Sequence, residues 1–231
     1  MKNYLIIGGS SGIGKSLVNF LGKEANVYTT YFSKDNPAIH SNVNYQYFDV
    51  NSDEIKLMGI PEEIHGLAYC PGSINLKPFR RIKVSQFKDD FELQVLGAVK
   101  VIQHFLPQLK AAGNSSILLF STVAVQQGFS YHSQVSVSKG AIEGLTRSLA
   151  AELSPEIRVN AIAPSLTDTP LAAKLLSSDE KIKANADRHP LKAIGDPNNI
   201  AELGAFLLSQ KSSWITGQII HADGGMSTIK L

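Results

Sequence analysis

Residues 8–14 read Gly8-Gly9-Ser10-Ser11-Gly12-Ile13-Gly14, placed directly after the short apolar run Tyr4 to Ile7 and ahead of a helical pattern from Lys15 to Leu21. Glycines allow a tight turn and close backbone approach to a ligand. The unpaired N–H groups and the dipole at a helix start attract an anion, a pyrophosphate above all. A glycine cluster by itself is weak evidence, but one set between a buried strand and a helix points to a nucleotide.

The elements that would position such a ligand follow from the apolar runs. Tyr4 to Ile7, Asn26 to Tyr31, Tyr45 to Phe48, His65 to Tyr69, Ile117 to Phe120, Arg158 to Ile162 and Gln218 to His221 read as strands, with helical patterns between them. Most lack polar alternation, as expected of strands buried on both faces of a parallel sheet. The fold class expected is α/β: a single Rossmann-type doubly wound domain over residues 1–231, with a mainly parallel seven-stranded sheet and helices on both faces.

Two helices carry firm signatures. Asp196 is a suitable N-cap with Pro197 at the first helical position, after which Ile200, Leu203, Phe206 and Leu207 repeat at helical spacing. From Val135 to Leu153, Ala141, Ile142, Leu145, Leu149 and Leu153 form an apolar stripe, and Lys139, Glu143 and Arg147 lie together off it. A further long helix is read from Phe87 to Leu109. The weakly patterned excursion from Ser165 to Pro190 has the character of a lid.

Composition narrows the function classes. The formal charge is +2, with no long basic run, which excludes a nucleic-acid arm and a membrane-surface helix. The short cluster Arg80, Arg81 and Lys83 reads as a solvated surface. No apolar segment is long enough for a bilayer span or a signal sequence. One cysteine, Cys70, cannot form an intrachain disulfide, which suits the cytoplasm, and the six histidines lack ligand spacing, so no metal is expected. A buried, inert thiol is the expected state of Cys70.

Gly8, Gly12 and Gly14 resemble the T-G-x-x-x-G-x-G turn of the short-chain dehydrogenase/reductase family, with Ile7 in place of its threonine. Asp49-Val50, Tyr69-Cys70-Pro71-Gly72, Arg158 to Pro164, Ile215 to Gln218 and Asp223-Gly224-Gly225 extend the resemblance over essentially the whole chain. It implies that Ser10, Ser11 and Ile13 join the glycines around the phosphates. Asp49 would accept from the adenine amino group, Val50 cover the ring, and Cys70 and Gly72 pass close to the cofactor. Pro164, Thr167 and Thr169 would reach the nicotinamide end and the phosphates; Ser165 replaces the usual glycine.

A carboxylate at the end of the second strand would select NAD. Ser33 and Lys34 stand in that region instead, a hydroxyl and an ammonium suited to a 2′-phosphate, so NADP(H) is expected over NAD(H).

The family's serine, tyrosine, lysine and asparagine correspond to Thr122, Val135, Lys139 and Gln94. Threonine keeps a hydroxyl for a developing oxyanion, and Gln94 keeps an amide. Val135 has no proton to give. Tyr131 and His132 lie about 12 and 10 Å from Lys139 along a continuous helix, yet a loop entering the helix could turn His132 into the cleft, where an imidazole can give and recover a proton near neutrality. The expectation is an NADP(H)-dependent reductase of a small carbonyl compound, or oxidant of the alcohol, with the proton from His132 or a bound water. The alternative is a catalytically impaired NADP-binding sensor or assembly subunit. Phe79, Phe129 and Tyr131 are the aromatic residues expected near the substrate, and the resemblance implies a homotetramer or homodimer through the helices Phe87 to Leu109 and Val135 to Leu153.

Overall fold

The structure is a computed structural model that describes residues 1–33 and 40–230. Lys34 lies outside the described residues. Seven strands form one sheet: β1 (Asn3–Ile7), β2 (Asn26–Tyr31), β3 (Val43–Tyr47), β4 (Gly66–Tyr69), β5 (Ser115–Phe120), β6 (Ile157–Pro164) and β7 (Ile219–Ala222). Their order is β3-β2-β1-β4-β5-β6-β7 and every neighbouring pair is parallel, so the expected mainly parallel sheet is parallel throughout.

The central strands β1, β4 and β5 lack polar alternation because both faces are covered, whereas β3, at the edge, alternates as Val43-Asn44-Tyr45-Gln46-Tyr47. On one face, Leu5, Ile7, Leu67, Ile117, Leu119, Val159 and Ala161 pack with residues of α3 (Gly97–Ala111) and α5 (Ser133–Leu153). On the other, Tyr4, Ile6, Val27, Ala68, Leu118 and Ile162 pack with α1 (Gly12–Leu21) and α7 (Pro197–Leu208). Asp196 caps α7 as expected, its carboxylate accepting from Asn198 N at 2.8 Å.

The strand order reverses at β1, whose neighbours are β2 and β4. Crossovers leaving in opposite directions open a crevice at the carboxyl ends of these strands, the place where open α/β sheets take ligands.

Two helices depart from the sequence reading. The helix expected over Phe87 to Leu109 is α2 (Val84–Phe91), a five-residue π-helical turn at Glu92–Leu96, and then α3. In α5, Lys139 turns from the core as expected, but Glu143 is only 9% exposed. It accepts from Ser121 Oγ at 2.8 Å and pairs with Arg147 at 3.2 Å, because α5 is buried on more than one side. The short α4 (Val123–Gln126) follows β5, and the excursion after β6 contains a 3-10 turn at Pro170–Ala172 and α6 (Asp179–Ala186). No helix among the described residues is long and apolar enough to cross a membrane.

Candidate functional site

The turn from β1 into α1 is shaped by contacts that only glycine permits. Gly8 has φ +80°, and its N–H donates to Thr30 Oγ1 at 2.9 Å. A Cβ on Gly14 would lie 2.3 Å from the Gly8 carbonyl oxygen, so the helix starts directly against the turn. Ser11 is the N-cap of α1 in an extended conformation, and its side chain makes no capping bond. The first amides of α1 are thus left for an anion in the cleft.

That cleft has a volume of about 780 Å³ and runs along the carboxyl ends of the strands. Gly8, Ser10, Ser11, Gly12, Ile13 and Gly14 line it at the turn, Ser33, Asp49 and Val50 beside the tips of β2 and β3, and Cys70 and Gly72 after β4. Pro164, Thr167 and Thr169 line it after β6, and Thr122, His132, Gln94 and Lys139 complete it. Every described residue singled out from sequence for cofactor or chemistry therefore meets one cavity. Its length of lining, glycine cradle and uncapped helix start fit a dinucleotide. Among the described lining residues, Asp49 is the one acid; its Oδ1 accepts from Asn51 N at 2.9 Å.

At the other end, Thr122 is the N-cap of α4 and its Oγ1 accepts from Ala124 N at 3.3 Å, which leaves the hydroxyl proton to donate into the cleft. His132, Val135 and Lys139 lie on one side of α5, spaced so that successive turns bring all three to the cavity. His132 is the N-cap residue, and its Nδ1 is 2.8 Å from the Ser130 carbonyl. A carbonyl only accepts, so neutral His132 carries its proton on Nδ1, and only the imidazolium can donate from Nε2. Phe129 sits 5.4 Å from the His132 ring and beneath the Arg188 guanidinium, also at 5.4 Å.

Burial lowers the Lys139 ammonium to about 8, against the opposing pull of the Asp90 carboxylate. Burial pushes the Cys70 thiol up to about 12, with Lys139 as the smaller, opposing influence. The thiol is therefore held protonated, although Cys70 is only part-buried and lines the cleft rather than lying in the core as expected.

Phe129 lines the cleft, but Phe79 and Tyr131, 73% and 58% exposed, do not. Tyr131 has φ +70°, which turns it outward at the loop. Sequence reading missed Ser73, Arg188 and His189 in the lining. Nothing local signals them; they come from loops that only the tertiary fold brings over the strand tips. Arg80 and Arg81 are exposed, as expected of a solvated cluster.

A family model described as enoyl-(acyl carrier protein) reductase matches residues 56–227. A tropinone reductase homolog of Arabidopsis thaliana is 33% identical, covering 97% of this chain and 92% of that protein. The L-xylulose reductase of Bos taurus is 30% identical, covering 97% and 96%. A solved short chain dehydrogenase family protein from Francisella tularensis superposes with TM-score 0.87 at 28% identity, covering 99% and 100% of the two chains. ElxO with NADP bound gives TM-score 0.88 at 25% identity over 99% of each chain. With this sheet, this cleft and relatives matched from end to end, the chain belongs to the short-chain dehydrogenase/reductase family of oxidoreductases, which bind nicotinamide cofactors and act on small molecules.

Proposed function

We propose that this protein is an NADP(H)-dependent oxidoreductase that reduces a small carbonyl compound, or oxidises the corresponding alcohol, with an altered proton-donor site. The observation that carries this reading is the convergence of the glycine cradle, Thr122 and Lys139 on one cleft. Gly8 to Gly14 hold the pyrophosphate, Asp49 and Val50 the adenine, and Cys70, Gly72, Pro164, Thr167 and Thr169 the remaining length. Lys139 binds the ribose and Thr122 polarises the carbonyl oxygen. The bound cofactor supplies the hydride. The proton-donor site is altered, and the sequence offers His132 or a water held in the cleft as candidates for it.

NADP is preferred because Tyr31, Phe32 and Ser33 line the end of β2 and no carboxylate stands among the described residues there to repel a 2′-phosphate. The NADP-bound state of ElxO, similar in fold, supports the same choice. Dissociation constants for NADPH and NADH test it: equal affinities remove the preference. Oxidation of NADPH against a broad carbonyl panel tests the activity, and no consumption with any member refutes it. Unchanged turnover in His132→Ala eliminates that histidine as donor.

One observation favours a second reading. Val135, 7% exposed, brings an apolar stub to the cleft where the family carries tyrosine, as in an NADP-binding sensor or assembly subunit without catalysis. If Val135→Tyr remains inactive while NADPH still binds and stabilises the fold, that reading gains. Exposed Val84, Leu96 and Val137 on and between α2 and α5, 73%, 44% and 54% exposed, support a homodimer or homotetramer through these helices, measurable by light scattering. We place the protein in the cytoplasm as a single domain.

A further inference from the structure

Asp90, near the end of α2, is 4% exposed. A carboxylate taken out of water is costly unless donors surround it. Here three side chains from separate segments donate to it: Ser73 from the loop after β4, Ser138 from α5 at 2.5 Å, and Gln94 Nε2 from the π-helical turn at 2.8 Å. The bond from Nε2 fixes the orientation of the Gln94 amide, because the carboxylate accepts and the amide oxygen cannot donate. Oε1 must then face the other way.

Gln94 is 1% exposed, and its Oε1 is buried with no hydrogen-bond partner among the described residues. Such an orphan acceptor is costly, and it is found where a ligand or water completes it. It faces Gly72: a Cβ built there would lie 3.4 Å from Gln94 Oε1 and 3.8 Å from Lys139 Nζ. The acceptor and the ammonium therefore flank one point on the cleft wall. Val135, one turn before Lys139, ends at its Cγ atoms, so no phenol stands between the ammonium and the cavity. The charged or titratable neighbours that bear on Lys139 are Asp90 from α2 and Cys70 after β4, and the thiol is protonated.

We propose that Lys139 itself delivers the proton to the substrate oxygen, directly or through one water bound at Gln94 Oε1, and that Asp90 is the positioning residue that keeps this ammonium charged and the Gln94 amide turned toward it. The proposal rests on the reductase reading and names the proton source within it. The balance is that of a carbonyl reduction. The C=O π bond breaks, a C–H bond forms with the hydride of the reduced cofactor, and an O–H bond forms with the proton leaving Lys139 Nζ. The neutral amine then regains a proton from water. In this scheme Asp90 takes no part in bond making.

The test follows Lys139 in two ways. In cofactor-free protein labelled with ¹³C in its lysine side chains, and assigned with Lys139→Arg, the titration midpoint is expected near 8. Asp90→Asn keeps the shape but removes the charge, and is expected to lower that midpoint by about one pH unit, the usual effect of one close opposite charge. The rate of NADPH oxidation with a carbonyl substrate should fall as pH rises through the midpoint, and this limb should move down by the same amount in Asp90→Asn. Lys139→Arg, which keeps a cation at the ribose but cannot release a proton, should bind NADPH within about threefold while turnover drops by about a hundredfold or more.

A midpoint unmoved in Asp90→Asn overturns the role of Asp90. A midpoint that moves while the activity limb stays, or a Lys139→Arg variant with wild-type turnover, overturns Lys139 as the donor and leaves the reductase reading intact. A wild-type protein that consumes no NADPH with any carbonyl overturns both.

Discussion

Substituting Gly14 by alanine tests the cradle with a single methyl group. The added Cβ would lie 2.3 Å from the Gly8 carbonyl oxygen, 3.1 Å from the Gly8 carbonyl carbon and 3.2 Å from Cys70 Cβ. Two of these are backbone atoms, which no rotamer change can clear. The turn and the start of α1 must separate by close to an ångström, which in a packed region costs about 1–3 kcal/mol. The same movement carries the amides at the helix start away from the phosphate position. Weakening two charge-assisted bonds by about 1.5 kcal/mol each corresponds to a loss of affinity on the order of a hundredfold. Gly144→Ala provides the control: Gly144 is in the middle of α5, and a Cβ there meets nothing within 4 Å. It should raise stability by about 0.4–1 kcal/mol and leave binding unchanged. NADPH fluorescence titration and thermal melting measure both variants. If Gly14→Ala binds NADPH within about threefold of wild type, the close approach of turn and helix does not shape the phosphate site.

Cys70 offers a second check. With its thiol held up to about 12, almost none is ionised at pH 8, and a disulfide reagent should label the native protein at least about a thousandfold more slowly than the denatured chain; comparable rates would contradict the burial. Arg158 offers a third, on stability. It is 6% exposed and its guanidinium donates to the carbonyls of Leu207, Ser209 and Ser212 and to Ser212 Oγ, at 2.8–3.0 Å. Arg158→Ala strands these acceptors and is expected to cost about 3 kcal/mol or more in urea unfolding, whereas a loss below about 1 kcal/mol would show the cluster to be dispensable.

The sheet was legible because its central strands, covered on both faces, are apolar nearly throughout, and the seven strand runs are separated by helical patterns. The cradle was legible because its glycines are adjacent in sequence. What stayed hidden is long-range. Nothing local sets Asp90 apart from its neighbour Asp89, and only the approach of Ser73 and Ser138 gives the buried carboxylate its donors. Glu143 is off the apolar stripe of α5 and would face water if Ser121 were not beside it. The π-helical turn keeps the hydrophobic spacing of the helices around it closely enough that Phe87 to Leu109 reads as continuous. Phe79 and Tyr131 were expected at the substrate on composition alone, which carries no direction for a side chain.

The excursion after β6 begins and ends at the same place. Gly195 N donates to Leu166 O at 3.0 Å, Asp168 N donates to Gly195 O at 2.9 Å, and Thr167 and Gly195 form a parallel bridge. This clasp ties the two stems of the flap over residues 169–194 to each other, while Leu191 N donates to Gly224 O at 3.2 Å and the His189 ring lies 2.8 Å from Ser165 Oγ, fastening its C-terminal end to the sheet. Insertions or deletions around α6 need not disturb the register of β6 or the cap of α7. The stretch around α6, between Thr169 and His189, lines the cleft through Leu175 and Asn185 and can thus be rewritten for new substrates while the residues proposed to grip the nucleotide stay as they are.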